Sequence, residues 1–126
     1  MMGKRNSFLT PLVVLVMPSG KTFKVAREFT YVWFNIPLHV PVGFVTDFAS
    51  IPKICRLLIP KLGRYTKASV IHDALYQDAI SDWTFTRALA DQCFREGMKE
   101  LGVIAWKRWA MWFAVRLVGW ALWRKR

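Results

Sequence analysis

Three polar side chains interrupt apolar helical patterns in the second half of the chain: His72 and Asp73 in "KASVIHDALYQ", and Asp91 in "TRALADQCFREGM". A histidine with one ring nitrogen held by a carboxylate and the other facing a pocket is a general base. Neighbouring helix positions point about 100° apart, so His72 can look at a packed helix while Asp73 looks toward a loop beside it. If the helix of Asp91 packs antiparallel on the helix of His72, its carboxylate can orient the imidazole. Upstream, the turn-rich "GFVTDFASIP" adds Asp47. Five of the eight acids fall between Asp47 and Asp91 in an otherwise basic chain, the concentration a cation site would need. Two carboxylates close together repel unless a cation or a proton intervenes, so Asp47 and Asp73 are candidates to share a divalent ion.

Each residue also has a plainer reading. His72 can be a core histidine whose nitrogens bond to backbone or side chains. Arg87 and Arg95 lie four residues before and after Asp91, so intrahelical ion pairs alone could account for it. Asp73 can be a solvated helix residue. The conjunction of three such residues after an acidic, turn-rich stretch favours a site. A nucleophilic Ser50 with His72 as its base is disfavoured, because "FASIP" lacks the GxSxG elbow.

The elements that must position these groups follow from residue pattern. Leu12 to Met17 is nearly all β-branched or Leu, and "PSGK" turns it into the alternating "TFKVA", a hairpin. Short strands are expected at "FTYVWF" (29–34) and around "LHVPVGF" (38–44), with Pro37 and Pro41 confining them to an edge or a short length. Pro52 suits the start of a short helix and Gly63 its end. Ala68, Ile71, His72, Leu75, Tyr76 and Ala79 then fall on one helical face. Ser81 or Asp82 can cap a second helix, with the stripe Arg87, Ala90, Asp91, Phe94, Met98 and Leu101 and an end at Gly102. A last helix runs from about Val103 to Trp123.

The expected fold class is α+β: a small N-terminal antiparallel sheet followed by three helices, the first two an antiparallel pair. At 126 residues and 54% hydrophobic the chain fits one domain. Its parts are a β-rich 1–45, a loop and short helix at 46–66, the helix pair at 67–102 and a Trp-rich basic helix at 103–126. Cys55 and Cys93 are too few for a disulfide scaffold and match no zinc spacing, so both read as small buried residues. Pro11, Pro18 and "SGK" break the apolar run after "MMGKRN", which argues against a signal peptide and for synthesis without export.

Nineteen Lys and Arg against eight acids give +11, which favours anionic partners. In the last helix Val103, Trp106, Ala110, Phe113, Ala114, Leu117 and Ala121 share one face, the expected core side. Trp109, Trp112, Trp120 and Trp123 share another with Arg116, and "WRKR" closes the chain. Lys107, Arg108 and Arg116 argue against a simple transmembrane helix. Tryptophan with Arg and Lys suits a lipid headgroup boundary, and equally a protein interface. Nucleic acid is disfavoured, since the basic residues form no known binding module.

"VPVGFVTDFASIP", "ASVIHDALYQ", "TRALADQCFREGM" and "MWFAVRLVGWALW" together resemble the phage and prophage family called domain of unknown function 1353, over about residues 20 to 120. The motifs GFxTDxASxP and HDxLY carry the likeness. It implies a phage or prophage origin, with the motif residues as the site, in a virion or an infected host cell at the cytoplasm or inner-membrane surface. More locally, "HDALY" followed by "RALADQCFREGM" is similar to the catalytic helices of phospholipases A2, especially the short prokaryotic kind. That likeness implies His72 as general base, Asp91 as the residue orienting it and Tyr76 as support for Asp91. Asp73 and Asp47 would be calcium ligands. The glycine-rich calcium loop and the disulfides of those enzymes are missing.

Two functions are therefore expected as alternatives. The first is a small phage virion (tail or capsid-associated) or lysis accessory protein. It would dock onto other phage proteins or an anionic membrane through Trp109, Trp112, Arg116, Trp120 and Trp123, with a homo-oligomer left open. The second is a calcium-dependent acyl-ester hydrolase with a His72–Asp91 dyad.

Overall fold

The computed structural model describes residues 6–47, 55, 65–80, 85–121 and 123. Alternating and β-branched residues in the first third form six short antiparallel strands: β1 (Ser7–Phe8), β2 (Val14–Val16), β3 (Phe23–Val25), β4 (Phe29–Trp33), β5 (Ile36–Val40) and β6 (Val45–Thr46). They make two three-stranded sheets, β1-β4-β5 and β2-β3-β6, where the sequence suggested one. The β2–β3 hairpin closes through "PSGK", with Gly20 at φ 72° donating its N–H to Met17. Phe34 and Asn35 both take positive φ between β4 and β5, with Trp33 opposite Ile36. Such a two-residue turn matches the twist of its strands. Pro37 sits in β5, an edge strand, where its missing N–H leaves no ladder bond unmade.

Three helices follow: α1 (Thr66–Tyr76), α2 (Arg87–Glu100) and α3 (Ala105–Val118), the last continued by a 3₁₀ turn at Gly119–Ala121. The architecture is α+β, antiparallel sheets followed by three helices. Helix α1 stops before Ala79 because Asp78 adopts φ 58°. It is not amphipathic: every residue but Lys67 is buried. Sheet residues cover it from one side, through β5 and β6, and α2 from the other. Asp73 is thus a buried residue and not a solvated one.

Helix α2 starts at Thr86, whose hydroxyl accepts the N–H of Leu89; Ser81 and Asp82, the expected caps, lie outside the described residues. Gly102, at φ 82°, follows its last turn as expected. The expected short helix between Pro52 and Gly63 also lies outside the described residues, apart from the buried Cys55.

Helices α1 and α2 run antiparallel. A Cβ on Gly97 would lie 3.2 Å from Ala68 Cβ, so the missing side chain permits a close crossing. His72 packs on Phe94 near the middle, and Tyr76 meets Asp91 at the far end. From β4, the Trp33 indole N–H donates to Glu96 of α2 at 2.6 Å, fixing sheet to helix. Cys93 is buried and unbridged, like Cys55.

The faces of α3 differ from the expected wheel. Met111, Val115 and, just beyond, Gly119 are buried. Trp106, Phe113 and Leu117, placed on the core side by the sequence, are more than half exposed. Among the described elements α2 is the main support of this helix, and a single packed helix covers only a narrow stripe.

Candidate active site

Helical spacing explains why the polar cluster assembles. His72 and Tyr76 are one turn apart on α1, so both side chains reach α2 at the level of Asp91. The His72 Nε2–H donates to Asp91 Oδ1 at 2.7 Å, and the Tyr76 hydroxyl donates to the same oxygen at 2.6 Å. The second oxygen, Oδ2, accepts from Arg116 Nη1 at 3.0 Å and lies 3.5 Å from Arg87 Nη1. The imidazole is held between the rings of Tyr76 and Phe94, with centroids 4.2 and 4.7 Å away. His72 and Asp91 have no exposed surface.

Burial by itself would raise the Asp91 carboxyl's pKa. Hydrogen bonds with His72, Tyr76 and Arg116 outweigh it and hold the group below its ordinary value, as a carboxylate. A carboxylate only accepts, so the proton between the pair sits on Nε2. Tyr76 is shifted the other way. Burial, then the hydrogen bond to Asp91, pushes its phenol well above the ordinary value and keeps it a donor.

The structure brings His72, Asp91 and Tyr76 together. Of the two arginines weighed as partners of Asp91, Arg87 takes the role. Arg95 points away and stacks over Trp109, its guanidinium 4.3 Å from the ring centroid. Arg116 is the residue the sequence missed. The residue pattern places it on one face with the tryptophans, yet it reaches back from α3 to Asp91. No local spacing could show a contact between residues 25 apart; the one hint was a cation set within the apolar second half of the helix. Arg87 also donates to the carbonyls of Val115 and Arg116, tying the last turn of α3 to the cluster. Trp123 packs edge-on against Tyr76 at 5.2 Å and Trp112 is half-buried beside Trp109. Only Trp109 and Trp120 of the expected docking tryptophans are exposed.

Asp73 is buried in α1, and Asp47 is exposed just after β6, a strand that packs on α1. The two acids thus belong to neighbouring elements. Among the described residues no three His, Cys, Asp or Glu side chains come close enough to hold a metal ion. A cleft of about 330 Å³ lined by Asn6, Phe34, Arg95, Glu96, Lys99, Glu100, Arg108 and Trp109 opens elsewhere and contains none of the dyad.

Comparison with known proteins adds a family and a relative. No solved structure matches the chain. The "Uncharacterized protein y4jT" of Sinorhizobium fredii (strain NBRC 101917 / NGR234) is 40% identical over 102 residues, 77% of this chain and 29% of that protein. The chain therefore spans less than a third of that relative's length. The model of a family described as "Protein of unknown function (DUF1353)" matches residues 23–115, a stretch that holds His72, Asp73, Tyr76, Asp91, Asp47 and both motifs. On that match, the chain belongs to the DUF1353 family.

Proposed function

We propose that the protein is an acyl-ester hydrolase with a phospholipase A2-like helix pair. The observation that carries this reading is the 2.7 Å bond from His72 Nε2 to a buried, ionised Asp91 that Tyr76 also supports. Asp91 fixes the ring and its tautomer. Nδ1 then takes a proton from water as the water attacks the ester carbonyl, a role worth roughly 10²- to 10⁴-fold in rate. Asp91 stabilises the imidazolium so formed, and the proton passes on to the leaving alcohol. Calcium, when bound, would supply charge stabilisation to the developing oxyanion. Asp73 and Asp47 are the residues proposed to hold it.

The test is release of fatty acid from phosphatidylglycerol vesicles in calcium and in chelator. Release by the wild type in calcium, lost in chelator and in His72→Asn, supports the reading. Equal release by His72→Asn would falsify it.

A second reading is a non-catalytic phage virion or lysis accessory protein in which the cluster only fixes the core. The complete burial of His72 and the two arginines on Asp91 favour it. In that case no ester is cleaved, while the His72→Asn protein still loses stability.

A further inference from the structure

Helix α3 leaves an apolar stripe in solvent. Trp106, Trp109, Phe113, Leu117 and Trp120 follow at spacings of three, four, four and three residues, the pattern of one helix face, and each is about half exposed or more. The stripe spans 15 residues, whose 14 steps make roughly 21 Å at about 1.5 Å per residue. It faces away from Met111 and Val115, which pack inward. Monomeric proteins rarely leave so continuous an apolar surface uncovered.

Charge identifies what covers it. The chain has no Asp or Glu after Glu100, whereas Lys107, Arg108, Arg116, Arg124, Lys125 and Arg126 all follow. Arg116 is engaged with Asp91, but Lys107 lies beside Trp106 and Arg95 stacks over Trp109, so cations flank the indoles. A second copy of so basic a surface would bring like charges together. Anionic lipid headgroups would neutralise them while the rings enter the interface. No described helix is long and apolar enough to cross a membrane, so α3 would lie along the surface.

We infer that the stripe Trp106–Trp120 of α3 docks the protein flat on an anionic lipid interface. The inference rests on α3 and the cations that flank it and is independent of whether His72 is catalytic, since vesicle binding is read without hydrolysis.

Flotation with phosphatidylcholine vesicles, with and without phosphatidylglycerol, tests it, alongside tryptophan emission and a sizing run without lipid. The wild type and His72→Asn should float with the anionic vesicles with a blue shift, and release at high salt. Phe113→Asp and Leu117→Asp are substitutions at exposed positions, and both variants should keep the wild-type circular dichroism. Each should weaken binding at least about tenfold, the factor of 1.4 kcal/mol. Lys107→Glu should weaken it about fivefold or more, the factor for about 1 kcal/mol per charge at a membrane surface. Three results would overturn the inference: a monomer that ignores anionic vesicles, binding unchanged in Phe113→Asp, or a lipid-free dimer that Phe113→Asp dissociates.

Discussion

Tyr76→Phe keeps the ring against His72 and removes one donor from Asp91 Oδ1. Hydrogen bonds to charged groups contribute about 1.5–3 kcal/mol, so a loss of that order is expected in urea denaturation. An unchanged midpoint would mean that the hydroxyl supports nothing. Acid should act through Asp91. Its folded pKa is depressed, so its contribution to stability is fully present above the unfolded carboxylate value, near 4, and is lost as pH falls through the lower folded value. Urea midpoints should fall in that acid window for the wild type and change less for Asp91→Asn. At this scale the sequence was informative about His72, Tyr76 and Asp91, because helical spacing fixes which side chains share a face. It was silent on Arg116, whose role depends on where α3 crosses α2.

The junctions between elements make their own tests. A Cβ on Gly119 would run into the Tyr76 hydroxyl, so the missing side chain there lets the end of α3 close over the cluster. Gly119→Ala should cost about 1–3 kcal/mol, as overpacking does. In a Tyr76→Phe background the cost should shrink, because the atom in the way has gone. Additive losses in that double-mutant cycle would show that the two positions do not touch. β6 and α1 carry the other junction. If Asp47 and Asp73 share calcium, the ion should raise the melting temperature of the wild type by mass action and that of Asp73→Asn less. Identical melting curves with calcium and with chelator would count against a site there.

The end of α2 was legible from a backbone signal, Gly102, and Pro37 pointed to an edge strand, but the start of α2 at Thr86 was not, since Ser81 or Asp82 was the expected cap. Nor were helix faces legible where burial decided. Helix α1 reads as one-sided by its apolar stripe, but Asp73 and Ser69 are buried too, because sheet and helix enclose it from both sides. For α3 the error ran the other way. Both of its faces are apolar, and a wheel cannot say which meets α2.

In the whole molecule, a buried cluster faces inward from α1 and α2 while a basic, apolar helix faces outward beside it. A charge of +11 favours approach to anionic surfaces, and the α3 stripe is the part proposed to hold the protein there, with the His72–Asp91 pair one helix away. The measurement that bears most directly on this arrangement is the rate of fatty-acid release from phosphatidylglycerol vesicles in calcium. Wild type, His72→Asn and Asp91→Asn should be compared at matched vesicle binding and matched circular dichroism. A His72–Asp91 base predicts measurable release by the wild type and a fall of roughly 10²- to 10⁴-fold in His72→Asn, with Asp91→Asn also impaired. A folded, vesicle-bound wild type that releases no fatty acid, or variants that release it at the wild-type rate, would contradict it.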